Sequence, residues 1–87
     1  MNTLANDNSA IDLANRIAAS IADNTCVAAR VRGNSINATV EALGVILGIY
    51  YEDNMTYFIE NGEESGEYTG EMDDDAICET AAAYFGG

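Results

Sequence analysis

The chain contains neither lysine nor histidine, and its only basic residues are Arg16, Arg30 and Arg32. Histidine and lysine, which commonly act as general bases, are therefore absent, and so is the lysine that often binds phosphates. The chain also lacks the basic surface that nucleic-acid-binding proteins present to phosphates. An anionic membrane surface would repel it for the same electrostatic reason. These absences favour a protein that is not an enzyme and that binds neither nucleic acids nor membranes.

The two cysteines, Cys26 and Cys78, are far apart in the sequence and match no zinc-binding or C-x-x-C spacing. Because no histidine is present to generate a thiolate, we do not expect either to act as a nucleophile. We interpret them as buried free thiols, with a disulfide between them as the alternative. The N-terminus has no basic region and no long apolar run, so we expect no signal peptide and a cytoplasmic location.

Acidic residues are what the chain has in excess. Its formal net charge is −12, beyond the magnitude of about 2–8 that solubility alone requires of a small domain. Residues 1–32 balance three aspartates with three arginines, whereas residues 33–87 hold twelve acids and no cation. The densest stretch is ENGEESGEYTGEMDDD, residues 60–75, of which eight of sixteen are acidic. Self-repulsion at this density destabilises a compact state, so we expect the charge to have a use.

The fold class follows from composition and apolar periodicity. Hydrophobic residues make up 48% of the chain, which is normal for a globular protein. We expect residues 1–8 to be frayed and residues 9–87 to form a single α+β domain. The predicted order is α-β-α-β-β-β-α, with two or three helices packed on a small, mainly antiparallel sheet. The predicted core comprises Leu13, Ile17, Ile21, Val27, Val31, Val40, Leu43, Leu47, Ile59, Ile77 and Phe85.

The first elements are a helix and a strand. Apolar residues at helical spacing predict a helix over residues 9–24, with Ser9 and Asp12 forming its N-terminal cap. Residues 25–32 alternate in the manner of a strand, with both arginines of this segment on one face.

A Gly-Asn pair then predicts a turn, after which Ser35 can cap a second helix over residues 36–47. Its buried stripe would consist of Ile36, Val40, Leu43 and Leu47. Glycines weaken its second half. In one alternative the helix ends near Gly44 and VILGIYY forms a strand, but we place the change of structure at Gly48.

The second half of the chain predicts a hairpin, a strand and a helix. IYYEDNMTYFIENG, residues 49–62, is rich in strand formers and turns at an Asp-Asn pair. A loop over residues 61–66 leads to a short strand over residues 67–72. The last helix begins after Asp73, whose side chain can cap it. Its buried stripe would consist of Ile77, Ala81, Tyr84 and Phe85.

Oxygen ligands for calcium are present at Glu63, Glu64 and residues 73–75. Their spacing does not match the EF-hand loop. We therefore expect no metal or other cofactor and keep calcium binding as an alternative.

Some of the acids have a simple structural explanation. Asp12, Glu41 and Glu79 would lie on solvated helix faces, and residues 73–75 favour the positive end of a helix dipole. Protection of an edge strand explains the acids of residues 60–71 only in part. We therefore predict a partner-binding surface that consists of Glu52, Asp53, Glu60, Glu63, Glu64, Glu67, Glu71, Asp73, Asp74, Asp75 and Glu79.

The spacing of these acids suggests a partner. Duplex DNA carries dense, uncompensated negative charge, about one per 1.7 Å of its axis. Alternate residues of a strand lie about 6.6 Å apart on one face. Carboxylates on a strand edge and a helix start could therefore approximate a line of phosphates. A groove lined with arginine and lysine would accept such a surface through charge-assisted hydrogen bonds.

In these respects the chain resembles the small, acidic, phage-encoded inhibitors of bacterial defence, in particular the DNA-mimicking anti-CRISPR proteins and the antirestriction proteins. The resemblance covers size, the α+β layout and the acidic hairpin with its acid-capped helix, IYYEDNMTYFIENGEESGEYTGEMDDDAICETAAAYF. It implies an inhibitor that acts in the host bacterial cell and binds a CRISPR effector complex where that complex recognises target DNA. The neutrality of residues 1–32 departs from inhibitors that are acidic throughout and argues against wrap-around mimicry.

A different class of function stays open, namely an acidic protein–protein interaction module without DNA mimicry. Its candidate interface anchors are Tyr50, Tyr51, Tyr57, Tyr68 and Tyr84. Dimerisation through an exposed strand such as MTYFIE fits this alternative, so we expect a monomer or a homodimer. An acyl-carrier protein is excluded, because the four-helix pattern and the Asp-Ser-Leu attachment site are absent.

Overall fold

The computed structural model describes residues 9–52, 55–69 and 73–86. Its elements are α1 (Ala10–Thr25), β1 (Arg30–Gly33), β2 (Asn37–Ala42), β3 (Val45–Glu52), β4 (Met55–Glu60), β5 (Glu63–Thr69) and α2 (Asp74–Phe85). The fold is α+β, as predicted, and its described part consists of two helices and one sheet. The sheet has the strand order β1-β2-β3-β4-β5 and is antiparallel throughout. The predicted frayed segment, residues 1–8, lies outside the described residues.

Local signals explain α1, and the predicted first helix is confirmed. The Ser9 hydroxyl accepts a hydrogen bond from the backbone N–H of Asp12 at 3.2 Å, which forms the predicted cap. The helix ends where Cys26 adopts a left-handed backbone with φ 62° and donates its N–H to the Ala22 carbonyl. The large apolar side chains buried on its inner face are Leu13, Ile17 and Ile21.

Strand β1 is shorter than predicted, but its two faces are as expected. Arg30 and Arg32 are both exposed on it.

The predicted Gly-Asn turn follows β1. There the Asn34 side-chain oxygen accepts hydrogen bonds from two backbone N–H groups, at 2.9 and 3.0 Å. Gly33 has φ 126°, and a Cβ at this position would lie 2.3 Å from the Asn37 carbonyl oxygen, so the turn requires glycine here.

The predicted second helix over residues 36–47 is wrong. This segment forms β2, a two-residue turn and the start of β3. At the turn, Leu43 and Gly44 have φ angles of 53° and 80°, and positive φ at both central residues is typical of a type I′ hairpin turn. Ile36 and Leu43, which the helix would have buried, are 58% and 50% exposed. Glu41, assigned to the solvated face of that helix, is exposed on β2 instead.

The predicted hairpin over residues 49–62 is confirmed as the β3–β4 pair, although its turn residues, Asp53 and Asn54, lie outside the described residues. The predicted loop over residues 61–66 is too long. Asn61 and Gly62 reverse the chain by themselves, with φ angles of 51° and 94°, so β5 starts at Glu63.

Helix α2 is confirmed together with its cap. The Asp73 carboxylate accepts a hydrogen bond from the backbone N–H of Ala76 at 2.8 Å. Of the predicted stripe, Ile77, Ala81 and Phe85 are buried. Tyr84 is half-buried, and its ring centroid lies 5.9 Å from that of Phe58.

Both helices lie on the same face of the sheet, where α1 packs on β1, β2 and β3 and α2 packs on α1 and β3. Ile49 and Phe58, which the predicted core omitted, are among the largest fully buried side chains. Among the predicted core residues, Leu43 is exposed, and Val27, Val31 and Ile59 are half-buried. The confirmed core residues are Leu13, Ile17, Ile21, Val40, Leu47, Ile77 and Phe85.

Candidate functional site

The predicted partner-binding acids fall into two groups, of which the first lies on the β4–β5 hairpin. Glu60 ends β4 and is half-buried, whereas Glu63 begins β5 and is exposed. The backbone of Glu64 and Glu67 lies further along β5. Because β5 is the last strand of the sheet, these positions follow one sheet edge.

The second group lies at the start of α2. Asp73 precedes the helix, Asp74 is its first residue, and Asp75 is exposed in its first turn. Negative charge here is favoured by the positive end of the helix dipole. Glu79 is exposed four residues after Asp75, a spacing that places both on the same side of the helix.

The two groups are separated along β5. The strand comprises seven residues, Glu63–Thr69, and spans about 20 Å at about 3.3 Å per residue. Asp73 follows Thr69 by four residues, which reach at most about 14 Å. Glu52 is exposed. It lies at the end of the sheet where β5 ends, because Met55 is the register partner of both Glu52 and Thr69. The acids therefore form an extended rim rather than a compact cluster.

This rim has a consequence for metal binding. Calcium requires six to eight oxygen ligands that converge on one point. Among the residues that the structure describes, no group of three or more histidine, cysteine, aspartate or glutamate side chains is placed to hold a metal ion. Two of the predicted acids, Asp53 and Glu71, lie outside the described residues.

The face of the sheet that points away from the helices is also a candidate surface. Strand side chains alternate between the two faces, and the buried positions of β2, β3 and β4 face the helices. Neither described helix covers the intervening positions. We name this surface the open face and define it by the central residues Ile46, Gly48, Tyr50, Met55, Tyr57 and Ile59.

The open face is markedly apolar. Ile46 is 47% exposed, and the other central residues are half-buried. Tyr50 and Tyr57 are register partners whose ring centroids lie 6.2 Å apart. Both tyrosines were predicted as possible interface anchors, but the apolar face as a whole was not predicted from the sequence. The sequence feature that could have predicted this face is the strand MTYFIE, because its apolar residues lie on both faces of the strand rather than on one.

The other tyrosines do not extend this face. Tyr51 and Tyr84 pack against the hydrophobic core on the helix side. For Tyr68, only its backbone register, opposite Thr56, is described.

Charges of opposite sign occupy the two edges of the sheet. Arg30 and Arg32 are exposed on β1, the first strand. Glu63, Glu64 and Glu67 lie on β5, the last strand. The sheet is therefore basic at one edge, apolar in the middle of its open face and acidic at the other edge.

The cysteines lie near the helix pair, and both are free and exposed, so the prediction of buried thiols is wrong and the alternative disulfide is not formed. Cys26 caps the C-terminus of α1, where the chain leaves the core. Cys78 follows the buried Ile77 on α2 and borders a shallow groove of about 370 Å³ between the helices. The Ser20 hydroxyl donates a weak hydrogen bond to Sγ of Cys78 at 3.6 Å.

No protein-family model, no curated protein and no solved structure matches this chain. In the described part of the chain, neither helix is both long and apolar enough to cross a membrane. Inferences about function therefore depend on the surfaces of the molecule itself.

Proposed function

We propose that this protein is an inhibitor whose acidic rim occupies the basic DNA-binding groove of a bacterial defence protein, and that the target is a CRISPR effector complex. We define the acidic rim as Glu52, Glu60, Glu63, Glu64, Glu67, Asp73, Asp74, Asp75 and Glu79. Its carboxylates take the place of DNA phosphates. On this proposal the protein catalyses no reaction, needs no cofactor and does not bind nucleic acid itself.

The observation that carries the proposal is the position of the uncompensated charge. Residues 33–87 hold twelve acids and no cation, and the densest part of this segment lies on an edge strand and a helix start. Arg30 and Arg32 lie at the opposite edge of the sheet, on β1. A row of charge at an edge can enter a groove, whereas the same charge distributed over a flat face could not.

The length of the acidic row on β5 supports the comparison with phosphates, although its acids do not alternate, since Glu63, Glu64 and Glu67 are separated by one and three residues. Glu63 and Glu67 lie four residues apart, at most about 13 Å, and phosphates of one DNA strand advance about 3.4 Å along the axis per nucleotide. The two glutamates therefore span about four phosphate intervals. Asp73 follows the end of β5 by four residues, so the start of α2 lies within about 14 Å of it.

The test is a competition between the protein and DNA for purified CRISPR effector complexes. Binding of fluorescently labelled target DNA is measured by anisotropy while the concentration of the protein is raised. We expect displacement of the DNA, with an apparent DNA dissociation constant that rises in proportion to the protein concentration. A complex that holds DNA and the protein together would contradict mimicry, because both partners would then be bound at separate sites.

Matched variants isolate the acidic rim. The first replaces Glu63, Glu64 and Glu67 with glutamine, and we expect it to inhibit at least tenfold more weakly. The second removes the same number of negative charges elsewhere, through Asp12→Asn, Asp23→Asn and Glu41→Gln. We expect this control to inhibit within about threefold of the unmodified protein, since its three sites lie off the rim. Equal losses in both variants would mean that net charge alone matters.

A further inference from the structure

We propose that the open face of the sheet binds a second copy of this chain, face to face, with a two-fold axis that runs parallel to β3. The resulting homodimer does not depend on the proposed inhibitor function. It uses the face opposite the helices, so α2 and its acids remain outside the interface, whereas Glu64 of the acidic rim lies on a strand within it.

The open face is apolar at its centre and large enough to bind a second copy. Its centre carries two isoleucines, two tyrosines and a methionine, and neither described helix covers it. Five strands about 4.8 Å apart and about 20 Å long present roughly 480 Å². Two such faces bury roughly 1,000 Å² in total, which is at the lower limit of specific interfaces. The face is large enough for a weak but specific dimer.

Gly48 lies at the middle of β3, the central strand of the sheet. Glycine in a strand interior is destabilising, and it often marks a place where another backbone approaches closely. Neither its φ angle nor its surroundings require glycine, because an added Cβ would meet the nearest atom, Cβ of Ile59, at an ordinary 3.5 Å. The packing of the chain itself therefore does not explain this glycine, whereas close approach of a second sheet would.

One row of register partners carries residues of opposite charge at its two ends. This row crosses all five strands and consists of Arg32, Thr39, Gly48, Ile59 and Glu64. It has a cation at one end, an acid at the other and the glycine at its centre. When a second copy of the row runs in the reverse direction, the position of its acid therefore coincides with the position of the cation of the first copy.

Charge also selects the symmetry of the dimer. An axis parallel to β3 places β1 of each copy over β5 of the other, so that Arg32 lies over the partner's Glu64 and Gly48 lies over its own counterpart. An axis across the strands would instead place β1 over β1 and β5 over β5. That arrangement brings charges of like sign together, which costs free energy. Two sheets related by the first axis can pack in the aligned manner that is common for β-sandwiches.

The test is sedimentation equilibrium of the full chain over a range of concentrations up to millimolar. We expect a reversible transition from the monomer mass of 9.2 kDa to twice that value. NMR spectra recorded on dilution should show chemical-shift changes at residues 46–50 and 55–59 of the open face and at Arg32 and Glu64 on the outer strands. A monomer at every concentration would overturn the proposal, and so would shift changes confined to the helices.

Charge variants test the orientation. Arg32→Glu and Glu64→Arg should each raise the dimer dissociation constant at least tenfold. The double variant keeps the net charge of −12 and should return to within about threefold of the unmodified chain, because the two opposite charges are again placed on the facing strands β1 and β5. A double variant as weak as either single variant would reject the axis parallel to β3.

One matched pair of variants and one further variant test the face itself. Ile46→Ser lies on the open face and should weaken the dimer at least tenfold, whereas Leu43→Ser, at an equally exposed turn position, should not. Gly48→Val should keep the melting temperature of the monomer while raising the dissociation constant. If the dimer tolerates both Ile46→Ser and Gly48→Val, the interface lies elsewhere and the proposal fails.

Discussion

Val40 and Leu47 are direct register partners across β2 and β3, and neither side chain is exposed to solvent. Their sequence separation of seven also fits two turns of a helix, which explains the incorrect prediction of a helix over residues 36–47. In the structure, the Leu43–Gly44 turn lies midway between them and reverses the chain. The pair therefore joins two strands into the core on which α1 packs.

The first prediction tests this strand pair with two equivalent substitutions. Leu47→Ala should lower the free energy of unfolding by about 2–5 kcal/mol, because it leaves a cavity in the core. Leu43→Ala should change it by no more than about 0.5 kcal/mol, because the turn side chain is exposed. Urea denaturation followed by circular dichroism measures both values. Comparable losses in the two variants would instead favour a helix over this segment.

A second prediction concerns Thr80, a buried residue of α2. Within the described part of the chain, its hydroxyl is buried without a hydrogen-bond partner. Thr80→Val removes the unsatisfied group at nearly constant volume and should raise the free energy of unfolding by about 1 kcal/mol. The matched control is Thr25→Val, which should be destabilising, since the Thr25 hydroxyl donates to the Ile21 carbonyl at 2.7 Å. Thermal unfolding should show opposite shifts for the two variants.

The third prediction separates the structural role of Asp73 from its charge. Asp73→Ala should lower the free energy of unfolding by about 1 kcal/mol, since the cap of α2 is lost. Asp73→Ser keeps a capping oxygen and should restore most of that stability. If Asp73 also contacts the target, the serine variant should remain a weaker inhibitor although it is stable. Full stability of the alanine variant would show that the cap contributes little.

The fourth prediction concerns salt. If the acidic rim replaces phosphates, inhibition should weaken steeply as ionic strength rises, because screening shortens the range of the attraction. The slope should decrease in the variant with glutamine at Glu63, Glu64 and Glu67. Anisotropy competition at several salt concentrations provides the measurement. Inhibition that is insensitive to salt would indicate an apolar contact, and the open face would then be the first surface to examine.

The fifth prediction addresses the calcium alternative. Because the acids form an extended rim, we expect calcium to raise the melting temperature no more than magnesium does at the same concentration. A ligand that binds only the folded state stabilises it by an amount that grows with the logarithm of its concentration relative to its dissociation constant. A large rise with micromolar calcium alone would therefore establish a specific site and contradict this expectation. Differential scanning fluorimetry with chelator controls is sufficient.

The sequence by itself determined the two helices and the distribution of charge. Both helices have local signals, a capping Ser9 or Asp73 and apolar residues at helical spacing, and local hydrogen bonds respond to local sequence. The β3–β4 hairpin was also predictable from its strand formers. The acids of the rim were identified from composition alone, and their role as a partner-binding surface stays a prediction.

Only the tertiary structure determined the secondary structure of residues 36–47 and which surfaces of the sheet the helices leave uncovered. Val40 and Leu47 satisfy either a helical or a strand pattern, and the choice depends on burial against α1, which is distant in sequence. The same packing places both helices on one face, so that Tyr50, Tyr57 and their neighbours form an open face on the other. It also separates Glu63 from Asp73 along the length of β5. Long-range packing sets these features, because the free energy that selects them comes from apolar surface buried between segments that the sequence does not place side by side.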